Sequence, residues 1–193
     1  MIIAAEDSVT LAIARKVVAT VAGEGEIITV CPGGRSKLKA RIPSLVRSCY
    51  GGLKVVVCAD LDMDPCLVRT RELWLPNGVP QNMALAFAVR EADAWLLADP
   101  GIGRFLSSSV PVPVDPEVIQ DPKAALLNMA RNSRSRAIRE AMIHPNGSLT
   151  RVGPGYNATL INFISSGWDI EESLRRSASF RRFRERVINL AER

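Results

Sequence analysis

A run of apolar residues that ends in three alternating aspartates constrains the fold of this chain more than any other feature. Residues 55–59 are Val, Val, Val, Cys and Ala, and Asp60, Asp62 and Asp64 follow at every second position. Short apolar, β-branched runs are typical of strands that are buried on both faces of a parallel sheet. Ligands of open α/β sheets bind at the carboxyl ends of such strands. The segment therefore predicts a buried strand that delivers carboxylates to a ligand-binding edge.

The three aspartates need a counter-charge, because carboxylates this close together repel one another and burial strengthens the repulsion. Mg²⁺ is commonly held by a few carboxylates together with water and substrate phosphate. We therefore expect Asp60, Asp62 and Asp64 to hold a divalent cation, Mg²⁺ or Mn²⁺. The alternative is an ordinary loop whose aspartates cap the next helix. Asp64 before Pro65 fits that alternative, since proline is favoured at the first helical position.

A second acidic pair, Glu6 and Asp7, follows the first apolar run at residues 1–5. If both apolar runs form parallel strands, their carboxyl ends lie at one edge of the sheet, and Glu6 joins the acidic cluster there. Asp7 is expected instead to cap the following helix, for which Ser8 is a second candidate.

Apolar runs alternate with helical patterns through the first half of the chain, which is typical of a parallel sheet with right-handed crossovers. We predict an α/β fold with a mostly parallel, Rossmann-like sheet of about four strands flanked by helices. The predicted strands are residues 1–5, 27–31, 54–59 and 83–89, and the helices between them are residues 9–22, 36–49 and 65–73. After an irregular segment at 100–122, helices are predicted at about 122–142, 156–166 and 169–192. We divide the chain into a core at residues 1–100 and a helical extension at 101–193, packed on that core as one compact domain.

The composition is that of a soluble globular protein, with 47% apolar and 23% charged residues. No apolar run approaches the length of a bilayer span, and no basic segment precedes the first apolar run as in a signal peptide. We therefore expect a cytoplasmic protein with no membrane partner. The four cysteines lack CxxC spacing and are expected to be reduced core thiols, and the single histidine argues against zinc–histidine chemistry.

The net charge is +5, and the whole excess lies in the second half of the chain. Residues 1–100 carry 11 basic and 11 acidic side chains, whereas residues 101–193 carry 14 and 9. Arginine, which suits bidentate phosphate contacts, supplies 20 of the 25 basic residues. The densest basic run, at residues 175–186, is interpreted either as a surface for a nucleic-acid backbone or as the solvated side of a terminal helix.

The segment after the second predicted strand has two interpretations. It is not a Walker A motif, because the Gly-Lys-Ser/Thr ending is absent. Gly33, Gly34, Arg35 and Lys37 could still bind phosphate through loop amides, a helix N-terminus and basic side chains. The other interpretation is a plain turn before a solvated helix face.

Glu91 and Asp93 follow the fourth predicted strand. Because this strand is expected to end at the same sheet edge, the two acids are candidates for the second metal site of a two-metal nuclease. The competing interpretation is a pair of ordinary acids in the first turn of a helix. The residue pattern does not decide between them.

The pattern of a strand ending in Glu, then a helix and a strand, then a strand ending in Asp-x-Asp resembles the TOPRIM domain. This domain occurs in topoisomerases, bacterial primases and the overcoming-lysogenization-defect nucleases. Over most of its length the chain resembles a bacterial TOPRIM-like family of unknown function that is often found near mobile-element or phage-defence genes. The matching segments are Gly33-Gly34, the acidic stretch 91–99, and helical segments at 122–126, 155–156 and 170–183. The chain departs from the pattern in having Asp7 where a glycine is usual, and in lacking the lysine typical just after Tyr156.

The resemblance implies that Glu6 acts as general acid or base and that Asp60 and Asp62 bind Mg²⁺, with Asp64 as a third acid. It implies a metal-dependent phosphodiesterase, a nuclease, that acts on nucleic acid, with DNA favoured over RNA. A separately encoded ATPase is an expected partner, because the chain carries no ATPase motif. Endonuclease or exonuclease action and the oligomeric state stay open.

Two other functions stay open on the sequence alone. A non-catalytic TOPRIM-like subunit of a defence or DNA-processing complex would use the same fold to bind a partner protein. A phosphoacceptor receiver domain also has acids after its first and third strands, although the lysine expected after a fifth strand is not found here.

Overall fold

The chain forms two compact units in a computed structural model that describes residues 1–23, 25–64, 66–146 and 152–193. The sheet unit consists of Met1–Val89 and Ser179–Arg193, and the helical unit consists of Arg90–Ala178. The sheet unit is therefore built from two separate segments of the sequence. The sequence-based division at residue 100 places the last fifteen residues with the helices, whereas the contacts place them with the sheet.

Four parallel strands form one sheet within the described residues. They are β1 (Ile2–Ala5), β2 (Ile28–Val30), β3 (Val55–Asp60) and β4 (Met83–Ala88), in the order β2-β1-β3-β4. The predicted α/β class with a parallel sheet is confirmed. Because Ala5 lies beside Cys58 in the register of β1 and β3, the residue after β1 lies next to the last residues of β3.

Helices alternate with these strands along the chain, and further helices follow the last strand. In chain order they are α1 (Ser8–Ala22), α2 (Arg35–Tyr50), α3 (Leu67–Trp74), α4 (Asp93–Leu97), α5 (Gly101–Phe105), α6 (Pro122–Arg131), α7 (Arg136–Met142), α8 (Tyr156–Ser166), α9 (Ile170–Arg176) and α10 (Ala178–Ala191), with a 3₁₀ turn at Pro116–Val118. None of the described helices is both long enough and apolar enough to cross a membrane.

Three predictions in the second half of the chain were wrong in detail. The helix expected over about 122–142 is two helices, because Ser135 caps the second of them through the amide of Ile138. The helix expected over 169–192 is also two, α9 and α10, separated at Ser177, whose hydroxyl donates to Glu117. The segment expected to be irregular contains α5 and the 3₁₀ turn.

The strands of the sheet unit are continuous apolar runs in the sequence because they lie in its core. All six residues of β3 and all six of β4 are buried. A cluster of apolar side chains from α2 packs on one face of the sheet: Leu38, Ile42, Leu45 and Cys49. Helix α1 contacts β1 and β3 and buries its own apolar positions, Val9, Ile13, Ala14, Val17 and Val18. Burial on both faces is what a parallel sheet requires.

The helical unit has apolar residues of its own that are almost inaccessible to solvent. Trp95, Leu97, Ile102, Leu126 and Phe163 are each at most 1% exposed. All three tryptophans of the chain are buried. Of the four free cysteines, Cys49 and Cys58 are buried but Cys31 and Cys66 are exposed, so the prediction of core thiols was wrong for half of them.

Helix α10 returns to the sheet unit and covers the outer edge of β4. The Ser179 hydroxyl accepts from the Val89 amide at 3.4 Å, the Arg186 guanidinium donates to the Leu85 carbonyl at 2.8 Å, and Arg193 donates to the Gln81 carbonyl at 2.5 Å. Ser179, Arg186 and Arg193 are seven residues apart, with Arg193 just beyond the end of α10, and their partners Val89, Leu85 and Gln81 are four apart. We call this row of contacts the edge seam. It satisfies the Leu85 carbonyl, which an edge strand would otherwise leave open, and backbone groups that flank β4 on either side.

Candidate active site at the carboxyl ends of the strands

Glu6 and Asp60 lie together at the carboxyl ends of β1 and β3. The Glu6 carboxylate accepts a hydrogen bond from the Asp60 backbone amide, and the two residues are only 7% and 6% exposed. They are 54 positions apart in the sequence and meet because β1 and β3 are adjacent and parallel. The predicted proximity of these two acids is therefore confirmed.

The surroundings of Glu6 favour its protonated form. Burial, which disfavours the charged carboxylate, raises the pKa of Glu6 to about 7, and the nearby charges of Asp7 and Asp62 act in the same direction. The Asp60 amide and the Arg35 guanidinium oppose the shift. A carboxyl group with this pKa changes its protonation state near neutral pH, as a general acid or base must.

Asp62 and Asp64 lie in the loop after β3, as predicted. Both side chains are nearly half exposed, at 46% and 43%. Asp62 has a φ of 54°, in the left-handed region that few non-glycine residues adopt. Aspartate adopts this conformation more readily than most residues with a side chain, and Arg90 and Ser107 have similar φ values, so the backbone at Asp62 is not by itself evidence of function.

Arg35, the first residue of α2, supplies the positive charge that the aspartates need. Its guanidinium forms an ion pair with Asp62 at 3.2 Å and a second, shorter one with Asp64. The pKa of the Asp64 carboxyl is lowered, chiefly by the hydrogen bond from Arg35. The guanidinium carbon also lies 5.9 Å from the centre of the Trp74 ring, within reach of a cation–π interaction. Part of the role expected of a metal ion is thus taken by a side chain.

The loop before α2 lies next to the end of β1 and contains two glycines with unusual backbone conformations. Gly33 and Gly34 have φ values of 76° and 127°, which residues with a side chain rarely adopt. The Gly34 amide donates to the Glu6 carbonyl at 2.7 Å, which ties this loop to the end of β1. That amide therefore serves the protein backbone, and phosphate binding by this loop stays a prediction that depends on Arg35 and Lys37.

Asp7 caps α1, with its carboxylate accepting from the amides of Val9 and Thr10 at 2.8 Å each. Capping by Asp7 is thus confirmed, while Ser8 is the first helical residue and not the cap. This arrangement separates two adjacent acids by function. Asp7 holds the helix, whereas Glu6 faces β3.

The donor chemistry of the site suits Mg²⁺, but the protein alone does not form a cage for it. Among the residues that the structure describes, no three His, Cys, Asp or Glu side chains are placed to share a metal ion. Mg²⁺ usually takes only one or two carboxylates and completes its shell with water and substrate phosphate. Asp60 and Asp62 are the candidates for such a partial set, with Asp62 shared between a metal and Arg35, whereas Asp64 is engaged both by Arg35 and by the Thr70 hydroxyl.

Glu91 and Asp93 lie in the helical unit, and each has a protein partner there. Glu91 accepts from the Lys123 amide at 3.1 Å, at the start of α6, and forms an ion pair with the Lys123 side chain at 3.6 Å. Asp93 is buried at the start of α4 and accepts a hydrogen bond from the Tyr156 hydroxyl. These contacts give both acids a structural role, and a second metal site formed by them stays a prediction.

The main feature that the sequence did not predict is the pairing of Arg35 with the aspartates after β3. The sequence marks Arg35 as a phosphate ligand, but it does not connect Arg35 with aspartates 27 and 29 positions away. The repulsion among the aspartates was the available signal, because it requires a cation of some kind. The buried pair of Tyr156 and Asp93 was also missed, although both residues were noted separately.

Comparisons with protein-family models, with curated proteins and with solved structures find no match to this chain. The class of protein is therefore defined by its fold and by the position of its acidic residues alone. The chain is an α/β protein with a parallel sheet and a buried Glu–Asp pair at the carboxyl ends of two adjacent strands.

Proposed function

We propose that this protein is a metal-dependent phosphodiesterase that acts on nucleic acid, with DNA as the favoured substrate, and that its TOPRIM-like resemblance is functional. The observation that carries the proposal is the contact between the Glu6 carboxylate and the Asp60 amide in a buried position. This contact brings a carboxyl group with a pKa of about 7 to the strand end that carries the Asp-x-Asp sequence.

The proposed roles follow from burial and charge. Asp60 and Asp62 would hold Mg²⁺ or Mn²⁺, which would neutralise charge on a phosphate and lower the pKa of a bound water. Glu6 accepts the proton of the attacking water. A base with a pKa near neutrality is suited to this role, because it is ionised in part of the molecules at neutral pH and still binds a proton strongly enough to remove it from water. Arg35 binds a non-bridging phosphate oxygen, since guanidinium groups suit phosphate geometry.

A specific observation favours a second candidate, a non-catalytic subunit that uses the same fold to bind a partner protein. Arg35 already pairs with both Asp62 and Asp64, so a protein side chain balances part of the negative charge that a metal ion would balance. This candidate predicts that the protein does not bind Mn²⁺ in calorimetry and co-purifies with a partner, such as the product of a neighbouring ATPase gene.

Cleavage of supercoiled plasmid and of single-stranded DNA with Mg²⁺ or Mn²⁺ tests the proposal. Asp60→Asn and Glu6→Gln should each lower the cleavage rate at least a hundredfold, as expected when a metal ligand or a catalytic proton carrier is removed. Glu72→Gln is the matched control, because Glu72 is an exposed acid on α3. Cleavage that persists unchanged in both site variants would rule out the proposed site.

A further inference from the structure

A cavity of about 270 Å³ in the sheet unit lies away from the acidic site, and three arginines are among the residues that line it. It is bounded by Arg71 on α3, by the first residues of β4, and by Arg186 and Arg193 at the end of the chain. None of the described residues that line it is acidic. Met83 begins β4, whereas Asp60 lies beside Ala88 at the other end of that strand. Five residues of strand span about 16 Å, so the cavity and the acids occupy different ends of the sheet.

The edge seam fixes the guanidinium of Arg186 at this cavity. One of its nitrogens donates to the Leu85 carbonyl at 2.8 Å, which anchors the group against β4. A guanidinium has five N–H donors in a planar fork, so a single anchoring bond leaves most of its donor capacity for another acceptor. Arg71 is exposed on α3 and lines the same cavity.

Arginine side chains near the cavity repel one another. Burial lowers the pKa of Arg186, and the neighbouring charges of Arg71 and Arg182 lower it further. Glu185 is the acidic residue that acts in the opposite direction. Positive charges that are partly withdrawn from water repel one another, and a bound anion offsets this repulsion.

We propose that this cavity binds the phosphate group of a nucleotide or of a nucleic-acid backbone, with Arg71 and Arg186 as its main ligands. Arginine pairs suit this ligand because their forks match phosphate oxygens. The volume lies just below the range of pockets for drug-sized ligands, about 300–1,000 Å³, and suits a phosphate with an attached sugar. The proposal does not depend on the acidic site, because the two sites share no residue.

Isothermal titration calorimetry in EDTA, with inorganic pyrophosphate as the probe, tests the assignment. EDTA removes any contribution from a metal at the acidic site. Arg71→Gln should weaken pyrophosphate binding about tenfold, the effect of losing one charge-assisted hydrogen bond. Arg69→Gln is the matched control, because Arg69 is exposed on the same helix and does not line the cavity. Asp60→Asn should leave pyrophosphate affinity unchanged, which separates this proposal from the proposed phosphodiesterase.

Adenosine 5′-monophosphate and a single-stranded decanucleotide distinguish the two sources of phosphate. Tighter binding of the monophosphate than of the decanucleotide would identify a nucleotide site. The reverse order, with affinity that falls as salt rises, would identify a backbone site. Failure of the wild-type protein to bind any of the three probes overturns the proposal, as does an equal loss of affinity in Arg69→Gln and Arg71→Gln.

Discussion

At the scale of single residues, the burial of Glu6 couples protein stability to pH. Its pKa is about 7 in the folded protein and about 4.5 when unperturbed. Because the folded state holds the proton more tightly, this group contributes full stability below about pH 4.5, and the contribution is lost as pH rises to 7. The protonated form of Glu6 therefore favours stability, whereas the proposed catalysis requires its ionised form. Such a trade-off between stability and activity is common at functional sites.

Glu6→Gln should remove this pH dependence while it keeps an oxygen that accepts from the Asp60 amide. In EDTA at pH 8 we expect the variant to be more stable than the wild type by about 2–3 kcal/mol, and at pH 4.5 we expect little difference. Urea unfolding at a series of pH values measures this. A stability difference that stays constant between pH 4.5 and pH 8 would contradict the assigned pKa.

The ion pairs of Arg35 lead to a second prediction at this scale. A guanidinium beside Asp62 and Asp64 competes with any metal for the same carboxylates. Arg35→Gln should therefore tighten Mn²⁺ binding about fivefold, which corresponds to the loss of about 1 kcal/mol of charge repulsion near the surface. The same change should slow DNA cleavage, because the proposed phosphate ligand is lost.

Lys37→Gln is the control for Arg35→Gln, since Lys37 is an exposed basic residue two positions further along α2. It should leave Mn²⁺ affinity within about twofold of the wild type. Calorimetry with Mn²⁺ gives both values directly. Unchanged or weaker Mn²⁺ binding in Arg35→Gln would show that the guanidinium does not compete with a metal at this site.

The sequence predicts a residue's role well where the role depends on neighbours along the chain or on the end of a strand. Asp7 caps α1 through amides two and three positions away, and Glu6 meets Asp60 because parallel strands end at one edge. The role of Arg35 depends instead on how two loops are placed and on which side-chain rotamer spans them. No local pattern encodes that geometry.

At the scale of secondary-structure elements, the edge seam gives α10 a structural role that its basic composition does not reveal. The arginine run was interpreted as a nucleic-acid surface or as a solvated helix face. Arg186 instead reaches the Leu85 carbonyl of β4, and its neighbour Arg182 is exposed. One run of similar residues thus contains both a sheet-edge contact and solvent-facing positions.

Arg186→Ala should destabilise the protein by about 2 kcal/mol, because the Leu85 carbonyl loses its donor and the arginine stem no longer packs at the strand. Arg182→Ala is the matched control and should change stability by less than about 0.5 kcal/mol. Chemical denaturation with both variants measures the difference. Equal effects of the two substitutions would mean that the seam contributes nothing specific.

Element boundaries show where sequence reasoning reaches its limit. All four predicted strands are present within a residue or two of their predicted ends, because buried parallel strands require continuous apolar runs. The helix predicted over 122–142 divides at a capping serine, Ser135, whose side chain competes locally with the helical backbone. Apolar periodicity continues through such a break and therefore cannot locate it.

At the scale of the whole molecule, the sheet unit is interrupted by a long insertion and closed again by α10. Val89 ends its first segment and Ser179 begins its second, and these two residues are joined by a hydrogen bond of 3.4 Å. The apolar cluster on the α2 face of the sheet lies entirely within this unit. The sequence does not show this closure, because it depends on contacts between residues up to 137 positions apart.

A variant in which a four-residue Gly-Ser linker replaces residues 90–178 should therefore fold on its own. We expect a mixed α/β circular-dichroism spectrum, one cooperative unfolding transition and dispersed amide resonances in NMR. The short distance between the joined ends makes a short linker sufficient. A non-cooperative, unfolded product would contradict the division of the chain into these two units.

In the proposed function, Glu6 and Asp60 belong to one metal-dependent site. The most direct measurement is the anomalous scattering of Mn²⁺ in a crystal of the full chain soaked with the ion. We predict one anomalous peak in direct coordination distance of the Asp60 carboxylate, about 2.0–2.3 Å, with the Glu6 carboxyl close enough to contact the ion or its water shell. A well-diffracting soaked crystal with no peak at Asp60, or with Mn²⁺ bound only elsewhere, would show that Glu6 and Asp60 do not form a metal site.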